Sequence, residues 1–455
     1  MTAPNAWVNN ANVALLTDLY ELTMLQAYLE EGLDQQAVFD LFVRRLPANR
    51  NYLIACGLDD VLRYLETLHF TAEALEYLAS LGQFSKEFLD WLGAMRFGGE
   101  VYAVAEGTPI FADEPILEVI APLPQAQLVE TFLLNQISFQ TMIASKAARV
   151  VTAAAGRDVV EFGLRRLHGA DAGMKAARAC FVAGATSTSN VLAGQVYDIP
   201  VTGTMAHSYI EAHDAELDAF RAFASVYPQA ILLVDTYDTL GGVRNVVRLA
   251  EELGDDFQIR GVRLDSGDLV QLTKASRRTL DEAGLHNVEI FASGSLDEYA
   301  VADLVAKEAP ISGFGVGTRM GVSADAPFLD SAYKLVGYAG RARMKLSAEK
   351  SNLPGQKQVW RIESGSQASH DIIGLHDEGI GGRPLLSKVM QAGKRLPANR
   401  RSLPQIREHA QTELAKLPER LTSLDAAQPP YRVELSAQLQ GQIDRLRRDL
   451  EPVGG

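Results

Sequence analysis

The chain has 455 residues, a formal net charge of −14 and an apolar fraction of 47%. Because this length exceeds that of one ordinary single-core domain, we expect two domains, or a barrel with a second module. The acidic balance argues against a general nucleic-acid-binding protein, which needs a basic surface. It still allows an anionic small-molecule substrate, because a local cluster of Arg and Gly can hold phosphate.

The cysteine content and the N-terminus indicate the compartment. Cys56 and Cys180 are too few for a disulfide framework or a cysteine-based zinc site, and both lie in apolar stretches, so we predict buried free thiols. The first positive side chain is Arg44, and no long apolar run precedes it. We therefore expect no signal peptide, no membrane span and a cytoplasmic location.

The N-terminal flank, residues 1–145, has mixed patterns. The segment "TDLYELTMLQAYLEEG" predicts a helix with a capping box from Asp18 and Glu21 and a stop at Gly32. Residues 35–95 are predicted to be largely helical. The segment "VYAVAEGTPIFADEPILEVIAP" predicts short strands joined by turns.

The central region alternates between strand and helix patterns. Six short β-rich runs occur between residues 158 and 319, namely "DVVEFGL", "IPVTGT", "AILLVDTYD", "IRGVRLDSGD", "VEIFASGS" and "ISGFGVGT". Such alternation predicts a parallel sheet with crossover helices, and so many strands predict an irregular or incomplete (β/α) barrel over residues 146–337. The Gly-x-Gly runs come late, not after the first strand as a dinucleotide site requires.

The C-terminal flank, residues 338–455, has a shorter and less regular pattern. Its candidate strands are "VWRIE" and "DIIGL", and its tail "SLPQIREHAQTELAKLPERL" is helical. We expect the two flanks to form a second α+β domain beside the barrel, in an α/β chain. The basic stretch from Lys388 to Arg407 is predicted to be a solvated face, with a partner surface as the alternative.

Polar and small residues follow each of the six predicted strands, whose carboxyl ends would meet at the face where barrel enzymes carry their chemistry. Glycines in "ASGS" and "GFGVGT" allow backbone N–H groups to approach an anion. Arg165 and Arg263 supply guanidinium groups suited to phosphate. Arg263 and Asp265 share one face of a strand, which allows either a salt bridge or an Asp that holds sugar hydroxyls or phosphate-bound Mg²⁺.

The residues leave several roles open for His207 in "IPVTGTMAHS". A zinc site of the "HExxH" type is disfavoured because His213 lies six residues on, and no nucleophile-elbow motif lies beside His207. It can itself be a nucleophile if Asp235 holds one ring nitrogen. Asp235 lies on the next strand exit, by which we mean the residues that directly follow the carboxyl end of a strand. The alternatives are a metal-dependent (β/α)-barrel hydrolase or lyase with His207, Glu211 and Asp235 as ligands, and a non-catalytic nucleotide sensor.

The motifs together resemble those of the nicotinate phosphoribosyltransferases. The resemblance covers most of the chain and rests on "LLTDLYELTM", "EFGLRR", "TSNVLAG", "IPVTGTMAHS", "VDTYDT", "VRLDSGDL" and "FGVGT", in the family's order. It implies synthesis of nicotinate mononucleotide and pyrophosphate from nicotinate and 5-phosphoribosyl 1-pyrophosphate, in NAD biosynthesis. It also implies coupling to ATP hydrolysis through a phosphohistidine, with Mg²⁺ as the cofactor.

The same resemblance implies roles for individual residues. His207 would be the phosphorylated histidine, with Asp235 and Asp265 as further catalytic residues. The nicotinate contacts would be Tyr20, Phe162, Ser189, Thr204 and Arg263. The phosphoribosyl pyrophosphate contacts would be Arg165, Asp265, Gly294, Gly317 and Thr318. In this family the tyrosine comes from the partner subunit, so a homodimer with its site at the subunit interface is implied.

One loop, Ala183 to Val191, departs from the family pattern. It is "AGATSTSNV" where the family usually has "GGFDGTSNV", so Ser187 replaces a glycine and Ala185 an aromatic residue. Ser189 is retained. Related nicotinamide-using enzymes have an aspartate at that position, so the neutral serine predicts the acid rather than the amide as substrate.

Overall fold

The computed structural model describes residues 7–346 and 352–450. The chain divides into two compact units, one formed by Met1–Met142 with Phe328–Gly455 and the other by Ile143–Pro327. Cys56 and Cys180 are buried thiols that form no disulfide, as predicted. Among the described residues, no helix has the length and apolar character needed to cross a membrane.

The first unit opens with helices and short strands. Its elements, with the long helix that follows them, are α1 (Leu19–Glu30), β1 (Gln36–Val43), β2 (Leu53–Ile54), α2 (Leu58–Thr67), α3 (Ala72–Ser80), α4 (Lys86–Ala94), β3 (Glu100–Val104), β4 (Pro109–Ile110), β5 (Pro115–Pro122), α5 (Leu123–Leu128) and α6 (Glu130–Ala153). The strands predicted after residue 100 are confirmed. Strand β1 was predicted as helix; its last five residues are all buried, which removes the alternation that marks a strand.

The second unit alternates strands and helices. Its elements are β6 (Asp158–Glu161), α7 (Ala170–Val182), β7 (Ser187–Thr188), α8 (Val191–Tyr197), α9 (His207–Glu211), α10 (Glu216–Val226), β8 (Ile231–Leu233), α11 (Thr239–Leu253), β9 (Gly261–Leu264), α12 (Leu269–Glu282), β10 (Glu289–Ser293), α13 (Glu298–Ala306), β11 (Gly313–Val316) and α14 (Thr318–Gly321). The strands form one parallel sheet in the order β7-β6-β11-β10-β9-β8. Because the last strand, β11, pairs with the first, β6, the sheet curls as a barrel does. Strands β7 and β8 remain its two edges, so the predicted incomplete (β/α) barrel is confirmed.

Two predicted elements of this unit differ in detail. The run "IPVTGT" was predicted as a strand but contributes one isolated parallel bridge, between Val201 and Thr188. Pro200, which precedes the bridge, has no N–H for a ladder. The edge strand is instead the two-residue β7. The long helix predicted after His207 is broken into α9 and α10 by the residues around Asp214.

The C-terminal part of the first unit is mostly β. Its elements are β12 (Ser331–Tyr338), β13 (Arg341–Ala342), β14 (Lys357–Ser364), β15 (Gln367–Leu375), β16 (Arg383–Pro384), β17 (Leu386–Gln391), β18 (Lys394–Arg395), α15 (Leu403–Ala415), α16 (Glu419–Thr422), β19 (Arg432–Leu435) and α17 (Ala437–Leu450). The strands predicted in "VWRIE" and "DIIGL" are β14 and β15. The two flanks share one sheet, in the order β13-β12-β1-β5-β3-β17-β18, which confirms that they form one α+β domain.

This domain contains two buried ion pairs, and the first of them joins its two flanks. Lys357 lies 2.6 Å from Asp40, and both side chains are buried. Arg361 lies 2.6 Å from Asp371, with at most 1% of either side chain exposed. Since removing one member of such a pair leaves an uncompensated buried charge, these pairs restrict which segments can meet.

Glu21 is buried rather than part of a capping box. Asp18 is the N-cap residue of α1, but its side chain makes no capping hydrogen bond and accepts one from Thr131 Oγ1 at 2.9 Å. Glu21 accepts a hydrogen bond from the Gln127 amide at 2.8 Å and has no exposed surface. Burial raises the pKa of the Glu21 carboxyl to about 7, although its hydrogen bonds oppose the shift.

We predict that Glu21→Gln flattens the pH dependence of stability. The folded state holds the Glu21 proton up to pH 7, whereas the unfolded chain releases it near its ordinary value of 4.5. The wild type therefore loses stability relative to the variant as the pH rises from about 4.5 to 7, by roughly 1–3 kcal/mol. Urea unfolding at pH 5 and pH 8 measures this difference. Glu30→Gln, an exposed change on the same helix, is the control; equal slopes for Glu21→Gln and wild type would contradict the prediction.

Candidate active site

A cavity lies inside the curled sheet of the second unit. Its volume is about 330 Å³. The interior of a complete (β/α) barrel is normally filled by branched side chains. Here many inward positions are small, and the lining comprises Asp158, Val160, Phe162, Thr186, Ser187, Pro200, Val201, Thr202, Thr204, Ile231, Arg260, Arg263, Phe291, Ala292, Ser293 and Gly315. Three predicted site residues, Phe162, Thr204 and Arg263, are among them.

Arg263 on β9 binds groups from three strand exits. Its Nη1 donates to Thr204 Oγ1 at 2.6 Å, its Nε to Ser293 Oγ at 2.8 Å and its Nη2 to Asp265 Oδ1 at 2.8 Å. The guanidinium carbon also lies 5.7 Å from the centre of the Phe162 ring, within the range of a cation–π contact. Only 16% of the side chain is exposed, so these contacts fix its position. The predicted salt bridge with Asp265 is present.

Asp265 and Asp235 form a linked pair of carboxylates on neighbouring exits. Asp265 accepts from Ser293 Oγ at 2.5 Å, and its own backbone N–H donates to Asp235 Oδ2 at 2.9 Å. Burial would raise the pKa of Asp265, but hydrogen bonds from Ser293 and Arg263 and the positive charge of Arg263 outweigh it, so the pKa lies below its ordinary value. Asp235 Oδ2 also accepts from Ser266, whereas its buried Oδ1 has no hydrogen-bond partner in the structure.

His207 begins the short helix α9 at the edge of the same face. Its Nδ1 lies 3.1 Å from Thr236 Oγ1, so the side chain that holds this ring nitrogen is Thr236. Asp235, which we expected in this role, instead binds Asp265 and Ser266. The observed partner is therefore one residue further along the chain than the expected one, and its hydrogen bond still orients the imidazole ring.

Phe162 forms one wall of the cavity and packs against glycine. A Cβ at Gly315 would lie 2.6 Å from the Phe162 ring, and one at Gly317 would lie 3.0 Å from the Phe162 carbonyl oxygen. The Phe162 N–H donates to the Val316 carbonyl at 2.9 Å. The glycines of "GFGVGT" therefore give the aromatic ring its space.

The two glycine-containing exits lie side by side at the ends of β10 and β11. Gly294 has φ of +95°, and a Cβ there would lie 1.9 Å from the Asp265 carbonyl oxygen. Thr318 begins α14, and Arg319 beside it forms a 2.5 Å ion pair with Asp297, the N-cap residue of α13. This pair connects the two exits.

The remaining predicted residues lie outside the Arg263 cluster. Arg165 is exposed in the single turn Leu164–Arg166 that follows β6. Ser189 is half-buried, and its N–H donates to the Glu161 carbonyl at 3.0 Å. Tyr20 belongs to the other unit and is 47% exposed there.

The metal site of the alternative interpretation is not assembled. Within residues 7–346 and 352–450, no group of three or more His, Cys, Asp or Glu side chains is placed to hold a metal ion. His207, Glu211 and Asp235 therefore do not form the predicted ligand set.

Sequence reasoning missed three polar residues that order the site, namely Glu161, Thr236 and Ser293. Each lies in or directly after a predicted strand, within motifs already quoted. The position at a strand end was a usable signal. It identifies only that a residue is near the carboxyl edge, and the hydrogen-bond partner depends on the register of neighbouring strands.

Comparisons with known proteins show which family the chain is similar to. Family models match the nicotinate phosphoribosyltransferase N-terminal domain at residues 15–138, the nicotinate phosphoribosyltransferase family at 158–335 and its C-terminal domain at 381–442. A nicotinate phosphoribosyltransferase of Mycobacterium tuberculosis is 52% identical over 434 residues, which cover 95% of this chain and 94% of that protein. One of Bacillus subtilis is 41% identical over 379 residues, 81% and 77% of the two chains. The crystal structure of human nicotinic acid phosphoribosyltransferase superimposes with a TM-score of 0.84 at 29% identity, over 94% of this chain and 99% of that one.

We predict that Gly294→Ala destabilises the fold by at least about 1–3 kcal/mol, the cost of a strained backbone conformation. The added Cβ also meets the Asp265 carbonyl, so β9 and β10 must separate locally. Urea unfolding of the variant and the wild type measures the effect. Gly203→Ala is the control, because a Cβ there has nothing within 4 Å. Equal effects of the two changes would contradict the prediction.

Proposed function

This chain belongs to the nicotinate phosphoribosyltransferase family, and on that premise we propose that it makes nicotinate mononucleotide for NAD biosynthesis. Nicotinate and 5-phosphoribosyl 1-pyrophosphate would be its substrates and pyrophosphate the second product. ATP would be hydrolysed in the same cycle, through a phosphorylated His207.

The observation that carries the proposal is the Arg263 cluster beside Phe162 in the lining of the cavity. A flat aromatic acid needs an aromatic wall for its ring and a cation for its carboxylate. Phe162 supplies the wall, and Arg263 and the Thr204 hydroxyl lie together 2.6 Å apart. Arg263 has five N–H hydrogens and uses three in the short bonds to Thr204, Ser293 and Asp265 and a fourth in a longer bond to the Met205 carbonyl at 3.4 Å, so one N–H on Nη2 remains for a carboxylate.

The transfer itself requires positioning more than proton movement. The lone pair of the pyridine nitrogen forms a bond to the anomeric carbon of the ribose, and the bond from that carbon to pyrophosphate breaks with its electron pair on the leaving oxygen. No base is needed, because the nitrogen carries no proton. Backbone N–H groups at Gly294, Gly317 and Thr318, with Arg165, would hold the phosphates and stabilise the leaving charge.

The donors of the site also suit Mg²⁺, a hard cation that prefers oxygen ligands. Asp235 has a buried oxygen without a hydrogen bond, and Asp265 lies beside it with its pKa held low. These two carboxylates, together with substrate phosphates, would hold the ion. When bound, it would neutralise charge on the pyrophosphate.

His207 would couple ATP to the transfer. A ring nitrogen attacks the γ-phosphorus, the bond to the bridging oxygen breaks, and ADP leaves. Water later takes the phosphoryl group from the imidazole and releases phosphate. The hydrogen bond to Thr236 orients the ring for both steps.

Tyr20 would complete the pyridine pocket of a second copy. It is 47% exposed on helix α1, and its neighbours Leu16 and Leu19 are 41% and 50% exposed. Apolar groups exposed together are typical of an interface. A homodimer is therefore part of the proposal.

The test of this function is an assay with nicotinate, 5-phosphoribosyl 1-pyrophosphate and Mg²⁺, with and without ATP. Mononucleotide and phosphate are followed together. ATP-stimulated formation of nicotinate mononucleotide is expected, and its absence would overturn the proposal.

For His207→Ala we predict loss of the ATP-dependent part of the rate, with slow ATP-independent transfer retained. The expected fall with ATP present is at least roughly tenfold, or 1.4 kcal/mol. His213→Ala, which removes an imidazole bonded to the Tyr209 carbonyl, is the matched control. If His207→Ala kept full ATP stimulation, the phosphohistidine assignment would be wrong.

For Ser189→Asp we predict a change of pyridine preference. A second carboxylate near the substrate carboxylate should lower kcat/KM for nicotinate roughly 10- to 100-fold, because like charges brought together cost a few kcal/mol. Use of nicotinamide should rise, since the amide can donate to Asp. The ratio of the two kcat/KM values measures the change, with Ser189→Asn as the uncharged control of similar size. Comparable turnover of both pyridines by the wild type would contradict the prediction.

A further inference from the structure

Glu161 is a buried carboxylate in β6 between Val160 and Phe162, which both line the cavity; Glu161 itself does not line it, and the roles assigned above do not include it. It is the last residue of β6, directly before Phe162, and is 1% exposed. Its Oε1 accepts from the Gly163 N–H, and its Oε2 accepts from Thr188 Oγ1 at 2.7 Å. Both oxygens are therefore occupied by neighbouring loops.

These partners are neutral groups. No salt bridge of the described residues involves Glu161. A carboxylate buried without a cation is costly, and burial raises the pKa of Glu161 while the bonds from Thr188 and Gly163 oppose that shift. Such a cost at a strand exit of a candidate active site indicates a function.

On the β7 side, the hydrogen bond from Thr188 to Glu161 orders the segment that contains Ser189. The Thr188 hydroxyl has one hydrogen, which it donates to Glu161, and its oxygen accepts from the Asn190 N–H at 3.0 Å. The Ser189 N–H donates to the Glu161 carbonyl, also at 3.0 Å. Ser189 is thereby held by its own N–H and by the residues on both sides.

On the β6 side, the hydrogen bond from the Gly163 N–H to Glu161 orders the turn after Phe162. The Gly163 N–H points back to Glu161, and a Cβ at Gly163 would lie 2.8 Å from Glu161 Oε1, so a side chain there would displace the carboxylate from its present position. The turn and the ring therefore adopt one arrangement relative to β7.

We infer that Glu161 is a positioning residue that acts through Thr188 and Gly163 to hold Ser189 and Phe162 in the geometry that selects nicotinate. The inference rests on the proposed function of the site. It assigns Glu161 no contact with the reacting atoms, since both of its oxygens are used by the protein. Its loss should impair pyridine recognition more than phosphate recognition, because the backbone N–H groups proposed to hold phosphate follow β10 and β11, and only Arg165 follows β6.

Thr188→Val is the primary test, because valine has nearly the same shape and lacks the hydroxyl. We expect KM for nicotinate to rise about tenfold, the effect of one lost hydrogen bond to a charged group. We expect KM for 5-phosphoribosyl 1-pyrophosphate to change less than twofold and the preference for nicotinate over nicotinamide to fall. Thr188→Ser, which keeps the hydroxyl, should rescue most of the loss.

Two further variants separate this role from a general loss of packing. Glu161→Gln offers an acceptor to one donor only and should show the same KM pattern. The double variant Glu161→Gln/Thr188→Val should be no worse than the more impaired single variant, because both remove one interaction. Thr273→Val, which removes a buried hydroxyl bonded to the Leu269 carbonyl in α12, should leave all constants unchanged.

The outcomes distinguish this inference from the proposed function. If wild type forms no mononucleotide, the proposed function fails and the inference falls with it. If wild type is active but Thr188→Val leaves KM for nicotinate unchanged, or raises both KM values equally, the inference alone is overturned. Thermal unfolding identifies a variant that does not fold; if Glu161→Gln is such a variant, the comparison of Thr188→Val with Thr188→Ser decides.

Discussion

The site depends on one largely buried cation, the guanidinium group of Arg263. A planar fork with donors in fixed directions can reach three neighbouring groups at once, which a lysine cannot. It connects Thr204, Asp265 and Ser293, which come from three different exits of the sheet. One side chain therefore holds three segments together: the segment that leads to His207, the acidic residues after β9 and the end of β10.

That arrangement is possible because the barrel is incomplete and its interior is thinly filled. Bulky branched side chains at the inward positions would leave no cavity. Gly315 and Ser293 leave room for the Phe162 ring and for the Arg263 side chain, and the cavity of about 330 Å³ remains. The missing contact between β7 and β8 has a local cause, since the segment around Pro200 forms one bridge where a full strand would close the sheet.

The alternation of strands and helices, and the residues that lie at the strand ends, could be predicted from the sequence. Both follow from local patterns, because apolar runs and glycine turns are readable one element at a time. Strand β1 was wrongly predicted as helix because burial on both faces removes the alternation of a strand. Strand β7 was not predicted, because two residues are too few to show a period. The partners of His207 and Glu161 were beyond reach, since a difference of one residue in register decides whether Asp235 or Thr236 meets the imidazole.

The charged side chains of the site differ in how many of their polar atoms have hydrogen-bond partners. Arg263 and Asp265 already have several partners, so a substrate carboxylate can add to a preformed cluster at little reorganisation cost. Asp235 keeps a buried oxygen without a partner, which costs stability in the free protein. Under the proposed function, a cation brought with the substrate phosphates would remove that cost, and binding at this strand end would then depend on the charged substrate. The same logic applies to Glu161, whose burial is tolerated because two neutral donors hold it where the ring pocket requires it.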